Sequence, residues 1–189
     1  MKMNRIAAAG FAFLALAFLT GCTTQGSGTP QNPKEINITT LPAEASAAAQ
    51  SHPGLSAAIL QAVNAYRAEK GLGQLAADAN LQRIAAVHAA DMQLRGFFGH
   101  FNPDGQGPRE RMMAVNPCFT GRIAENIEVV EGPSHAAMND TELANSLVKK
   151  WIESPMHRKN IKAPEMTKSG VGIARQGNRI IAAQVFGSR

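Results

Sequence analysis

The chain has 189 residues, 44% of them hydrophobic, and a formal charge of +5, which is room for one well-cored domain plus accessory segments. The basic excess is small and no Lys/Arg stripe interleaves with aromatics, which argues against a nucleic-acid partner. With 2 cysteines, Cys22 and Cys118, it cannot be a disulfide-stapled scaffold either.

Lys2 and Arg5 precede an apolar run from Ile6 to Leu19, the charged and hydrophobic regions of a secretory signal. A bilayer core needs roughly 20 apolar residues, so the run is short for a transmembrane span. It ends in Leu19-Thr20-Gly21-Cys22, which is similar to the lipobox of bacterial lipoproteins. Small residues before the cleavage point suit the peptidase, and a thioether to diacylglycerol needs a sulfur nucleophile. Residues 1–21 are therefore expected to be removed, leaving Cys22 as a lipid-bearing first residue held in the membrane. Losing Lys2 and Arg5 and no acid lowers the formal charge from +5 to +3. Assigning Cys22 to lipid leaves Cys118 as an unpaired thiol, expected to be buried between Pro117 and Phe119. Thr23 stands where an aspartate would retain a lipoprotein at the inner membrane of a two-membrane cell, so outer-membrane delivery is expected there. The stretch 22–54 is rich in Thr, Gly, Pro, Gln, Ser and Ala and reads as a tether with a root-mean-square reach of about 30 Å.

Residues 55–189 have the size of one domain. Leu55, Ile59, Val63 and Tyr66 recur at helical spacing before Gly71 and Gly73. A second helix is predicted after Asp78 as N-cap, with Leu81, Ile84, Ala85, His88 and Met92 on one face. Ile123 to Val130 is a strand candidate. A third helix runs from about Asp140 to Glu153 with Leu143, Leu147 and Trp151 as its buried stripe, and Pro155 ends it. The period then changes: Val171 to Ala174 and Ile180 to Phe186 are short apolar runs split by Gln176-Gly177-Asn178, the pattern of a β-hairpin. The fold class predicted is α+β with a small, mostly antiparallel sheet.

Three stretches place acid/base or metal-capable side chains beside turn residues. In Phe98-Gly99-His100-Phe101-Asn102-Pro103-Asp104-Gly105 the Asn-Pro-Asp-Gly turn signal puts His100 at the mouth of a loop. Ala124-Glu125-Asn126-Ile127 carries an acid and an amide into the candidate strand. In Trp151 to Ile161, Ser154 suits an N-cap and Pro155 the first helical position, which places His157 in the first turn of a short helix. The helix dipole there disfavours imidazolium, so a neutral His157 is expected, with the Ser154 hydroxyl spent on capping.

The order Asn64-Ala65-Tyr66-Arg67, Gly71 to Leu75, His88 to Met92, Phe98-Gly99-His100, Ala124 to Ile127, Trp151-x-x-Ser-Pro-x-His-Arg-x-Asn-Ile161, Gly170-Val-Gly-Ile173 and Gln184 to Gly187 resembles the CAP superfamily, also called the SCP domain. The resemblance covers nearly everything from Leu55 onward. It implies an α-β-α sandwich with a small central antiparallel sheet and a cleft of two histidines and two acids, which in some members holds zinc or another divalent cation. Motif by motif, His100, His157 and Glu125 are the cleft and candidate metal residues. Animal members carry Glu where this chain has Ser154, and Gly where it has Ala124, so the acid set is incomplete.

Of the other residues, His88 reads as a hydrogen-bonded core histidine, Trp151 as core, and Asn126 and Asn160 as loop-fixing amides. Arg111 is expected to pair with a carboxylate and pin the His100 loop, and Glu125 is either that kind of structural acid or a ligand. His52 and His135 read as surface positions. Two functions remain open. One is a non-enzymatic, envelope-tethered module binding a lipid, an envelope component or a protein, as many CAP relatives do. The other is a hydrolase using His157 as base, Glu125 as orienting or ligating acid, and Ser154 or a metal-bound water as nucleophile. Against the second, neither Gly-x-Ser-x-Gly nor His-Glu-x-x-His occurs.

Overall fold

A computed structural model describes residues 52–188; the signal segment, Cys22 and nearly all of the tether lie outside the described residues. The first helix, α1, spans Pro53–Glu69 with proline in its first turn. Leu55, Ile59 and Val63 are buried as expected, but the stripe continues into Arg67 rather than Tyr66. Tyr66 is half-buried instead, with Lys70 Nζ 5.0 Å from its ring centroid. The Arg67 guanidinium donates to the carbonyls of Gly73 at 2.8 Å, Ile161 at 2.7 Å, Ala163 at 3.0 Å and Met166 at 3.1 Å. One buried cation thereby closes two loops whose carbonyls would otherwise be orphaned.

Strand β1 (Ala76–Ala77) is introduced by Asn64, whose amide both accepts from Leu75 N–H (2.8 Å) and donates to Leu75 O (3.0 Å). Helix α2 spans Ala79–Arg95; Asp78 caps it by accepting from the Asn80 and Leu81 N–H groups, and Gly96, at φ 67°, closes it. An eight-residue helix, α3 (Pro108–Val115), was not marked by any apolar stripe. Strand β2 (Ile123–Val130) and the short α4 (Pro133–Ala136) follow. Helix α5 spans Asp140–Glu153 behind a reciprocal Asn139–Glu142 capping box, and α6 spans Pro155–Lys162. The chain ends in the hairpin β3 (Lys168–Gln176) and β4 (Arg179–Gly187), turning at Gly177 with φ 57°. Among the described residues no helix is long and apolar enough to cross a membrane.

The sheet order is β1-β3-β4-β2, antiparallel except for the two-residue β1–β3 pair. Strand β4 is the middle of the molecule, and its period-two alternation sorts two cores. Ile180, Ala182 and Phe186 join α1, α5 and Ile161 of α6 around Trp151. Ile181, Ala183 and Val185 join Leu81, Ile84 and Met92 of α2 and Met112 of α3. Helices thus cover both faces, the α-β-α sandwich expected. The inner layer is tight because Gly170 and Gly172 of β3 lie directly against α2: a Cβ at Gly172 would overlap the backbone of Ala85 and Ala86.

Cys118 corrects an expectation. It is exposed rather than buried, and no cysteine among the described residues is free. Its N–H donates to Asn116 Oδ1 at 3.2 Å in a tight turn that carries it outward. The elimination that left it unpaired rested on Cys22, which lies outside the described residues.

Candidate functional site

Strand β2 is the outer neighbour of β4, and two consecutive residues of it fasten the site from opposite faces. Glu125 is paired with Val185, so its side chain leaves toward α2 and α3; Asn126 is paired with Gln184 and leaves toward α6. Glu125 Oε1 accepts from His100 Nδ1 at 3.0 Å, and Oε2 accepts from Arg111 Nη2 at 2.6 Å. Arg111 Nη1 also donates to the carbonyls of His100 (3.1 Å) and Gln106 (3.0 Å). The expected arginine pin is therefore present, and Glu125 is its carboxylate. Within the loop, Asn102 Oδ1 accepts from the N–H groups of Asp104 and Gln106 at 3.1 and 2.9 Å, closing the predicted turn.

On the other side, Asn126 Nδ2 donates to His157 O at 3.1 Å, while Asn160 Nδ2 donates to Glu125 O at 3.2 Å and Asn126 Oδ1 at 2.9 Å. The two amides do fix structure, but they dock helix α6 on strand β2 rather than tying loops. They bring His157 close enough for charge on His100 to influence it.

The electrostatics follow from burial. Desolvation pushes the Glu125 carboxyl up, but the His100 hydrogen bond and the Arg111 and His88 neighbours outweigh it, so it titrates below the ordinary carboxylate range. Arg111, 2% exposed, is lowered by burial with Glu125 opposing. The His157 imidazole is pushed down first by burial and then by His100. The expected direction holds, with desolvation rather than the helix dipole as its leading cause. Ser154 also departs from expectation. It occupies the N-cap position through its backbone, Arg158 N–H donating to Ser154 O at 2.9 Å, but its hydroxyl makes no cap hydrogen bond.

Sequence reasoning missed the part His88 plays. Its ring is fully buried in α2 as expected, yet Nε2 lies 2.8 Å from Gly99 O and 3.7 Å from Glu125 Oε1. Burial lowers its pKa to about 4, so the ring is neutral. The core histidine is thus also the floor of the site. His52, near Arg175 and Asp140, and His135, whose Nδ1 faces Glu131 O at 3.1 Å, take no part in it.

For a metal, the residues supply His100 and His157 and little else. Both Glu125 oxygens are engaged, one by a guanidinium that neutralises the carboxylate. Among the described residues no group of three or more His, Cys, Asp or Glu side chains is placed to hold a metal ion. This donor set does not fit a tight site with three protein ligands.

Several large apolar side chains close to these histidines in the chain are exposed, while Leu94 lies instead beside Ala174, Arg175 and Gln176 at the hairpin end of β3. Phe98 is 47% exposed, Phe101 64% and Met156 73%, and Leu94, near the end of α2, is 54% exposed.

Comparison with known proteins places this arrangement. Residues 60–186 match the cysteine-rich secretory protein family, CAP. The YkwD protein of Bacillus subtilis is 28% identical over 120 residues, 64% of this chain and 42% of that protein; the chain thus spans less than half the length of this relative. An outer surface protein of Borrelia burgdorferi superposes with a TM-score of 0.56 at 19% identity, covering 69% of this chain and 90% of that one. An extracellular SCP-domain protein of Bacillus anthracis also gives 0.56, at 24% identity, covering 72% of this chain and 41% of that one. At these identities the structural likeness speaks for the fold. With the profile match extending over most of the chain, from α1 to the end of β4, the protein belongs to the cysteine-rich secretory protein (CAP) family.

Proposed function

We propose that this chain is an exported CAP-domain lipoprotein, anchored in the cell envelope through lipid on Cys22, whose His100–His157 cleft binds a ligand with joined apolar and polar parts. A lipid, an envelope component or an apolar segment of a partner protein has that character. Extracellular and outer-surface relatives support the address, and the Leu19-Thr20-Gly21-Cys22 sequence supports the anchor. The observation that carries the binding reading is the placement of the exposed large hydrophobics. Single exposed apolar side chains are ordinary. Here Phe98 and Phe101 flank His100 in the chain and Met156 precedes His157. Exposed apolar side chains borne on the same two segments as the two imidazoles, beside a neutralised carboxylate, have the character of a binding site.

Binding without turnover suits the polar centre. A serine nucleophile needs a base within hydrogen-bond reach, and no hydrogen bond joins Ser154 to His157 among the described residues, His157 Nδ1 being buried without a partner. A divalent cation would rest on His100 and His157 alone, which supports only weak occupancy.

The test uses the full lipidated chain, with a fluorescent long-chain fatty acid and a total envelope extract as probes. Replacing Phe98, Phe101 and Met156 together by serine is expected to weaken binding at least tenfold, about 1.4 kcal/mol, a fraction of what three buried apolar side chains contribute. His157→Ala is expected to retain most of it. Binding unchanged in the triple variant, or cleavage of an envelope polymer that His157→Ala abolishes, overturns the reading. A zinc titration against the His100→Ala, His157→Ala double variant measures the metal affinity separately.

A further inference from the structure

We infer that His88 is a positioning residue for the cleft: by donating from Nε2 to the carbonyl that precedes His100, it holds His100 with Nδ1 on Glu125 and Nε2 turned outward to the ligand. The inference rests on the cleft being the binding site proposed above, but its geometry is independent of what binds.

A carbonyl oxygen only accepts, so the 2.8 Å contact between His88 Nε2 and Gly99 O requires the proton on Nε2. That leaves the Nδ1 lone pair inside the protein, where it has no partner. A fully buried ring with an unmatched nitrogen is a poor choice for packing alone, since an unsatisfied buried polar atom destabilises and a leucine or phenylalanine would avoid it. What the imidazole does that an apolar side chain cannot is hold the chain just before His100. The next carbonyl, that of His100 itself, is held by Arg111 at 3.1 Å. His100 is therefore gripped on both sides by residues that are 0% and 2% exposed. The ring of His88 also lies against Phe97, with centroids 5.9 Å apart, so it touches the loop at two successive points.

The same Nε2–H lies 3.7 Å from Glu125 Oε1, the oxygen that takes His100 Nδ1 at 3.0 Å. Arg111 takes the other oxygen. Glu125 is thereby fixed in rotation, and with Nδ1 of His100 committed to it, Nε2 is the nitrogen left to face solvent on a side chain 44% exposed. Floor, wall and backbone grip define one orientation of the His100 imidazole.

The experiment reads tautomers by ¹⁵N NMR of histidine-labelled full chain at pH 8, with no ligand added. In the wild type, His88 is expected to carry its proton on Nε2 and His100 on Nδ1. His88→Leu is expected to release His100 toward the tautomer mixture of a free imidazole. His88→Gln, whose amide can donate to Gly99 O, is expected to restore the Nδ1–H form. Thermal melts of both variants separate this from a loss of stability, which would leave the His100 tautomer unmoved. A folded His88→Leu protein with His100 still fixed as Nδ1–H overturns the inference. If that variant does not fold, wild-type His88 protonated on Nδ1, or His88→Gln with His100 released, overturns it equally. Because no ligand enters the measurement, failure of the binding reading leaves this result standing, and the reverse.

Discussion

The burial of His88 makes the stability of the domain depend on pH between about 6.5 and 4. Its pKa falls from an ordinary 6.5 to about 4 on folding, chiefly through desolvation. A base with a depressed folded pKa binds its proton in the unfolded chain first. Between pH 6.5 and about 4 the unfolded state therefore holds the extra proton, and stability falls as pH falls, at up to ~1.4 kcal/mol per pH unit. Above pH 6.5 the term is absent, and below the folded pKa it has reached its full size of about 3 kcal/mol. Going from pH 6.5 to 5 alone, the loss comes to roughly 1.5 kcal/mol. The assay is urea denaturation at half-unit pH steps for the wild type and His88→Gln, which keeps a donor but cannot titrate. His52 and His157, also lowered, and Glu128, raised by burial, are common to both proteins and cancel in the difference. The wild type should lose about 1.5 kcal/mol more than the variant over that interval. Parallel stability curves for the two proteins would refute the reasoning, because they would mean that His88 takes its proton without unfolding the domain.

Gly172→Ala drives a methyl group into the backbone of Ala85 and Ala86 and should cost about 3 kcal/mol, read as a lowered urea midpoint; Gly73→Ala, with nothing within 4 Å, is the control and should change little. Arg67→Met leaves the carbonyls of Ile161, Ala163 and Met166 without their donor and should lower stability by about 3 kcal/mol in the same measurement. Cys22→Ala should abolish palmitate labelling and release the protein from the membrane fraction; label retained in that variant would remove the anchor from the proposed function.

The elements that were legible in the sequence are those whose signal is local. Asp78 and Pro155 mark helix ends because a cap or a missing N–H acts on its own turn, and Gly177 marks the hairpin for a like reason; the Asn139–Glu142 capping box, equally local, was not read. The apolar stripes of α1, α2 and α5 were equally plain. Helix α3 was not, because only Arg111 and Met112 of its eight residues are buried, and a stripe that includes an arginine has no apolar period. Arg67 was hidden in the same way: its partners lie about a hundred positions away at Ile161 to Met166. In the site, His100 and His157 were found through turn and cap signals, and Glu125 as an acid entering the candidate strand, which the family motif then joined to them. His88 was assigned correctly to the core, yet its contact with Gly99 depends on where α2 ends and the chain doubles back, which no spacing encodes. Cys118 failed for a different reason, since its state was inferred by elimination from a distant residue rather than from its own surroundings.

The charge balance of the cleft sets what it can hold. A carboxylate buried to 1% exposure is tolerated only when paired, and Glu125 is paired with an equally buried guanidinium that cannot be deprotonated. The pair is neutral as a unit, so it offers a cation no net attraction, and withdrawing Glu125 to bind a metal would strand Arg111 as an unpaired buried charge, a loss of about 3–5 kcal/mol. The second acid of the family pattern, which could have carried the negative charge instead, is Ser154 here. What the pair does supply is rigidity: it locks the His100 loop through two carbonyls and one ring nitrogen while adding no charge for an apolar ligand to desolvate. The same network that weakens the cleft as a metal site therefore favours the apolar ligand proposed above, because it fixes the polar centre without adding net charge.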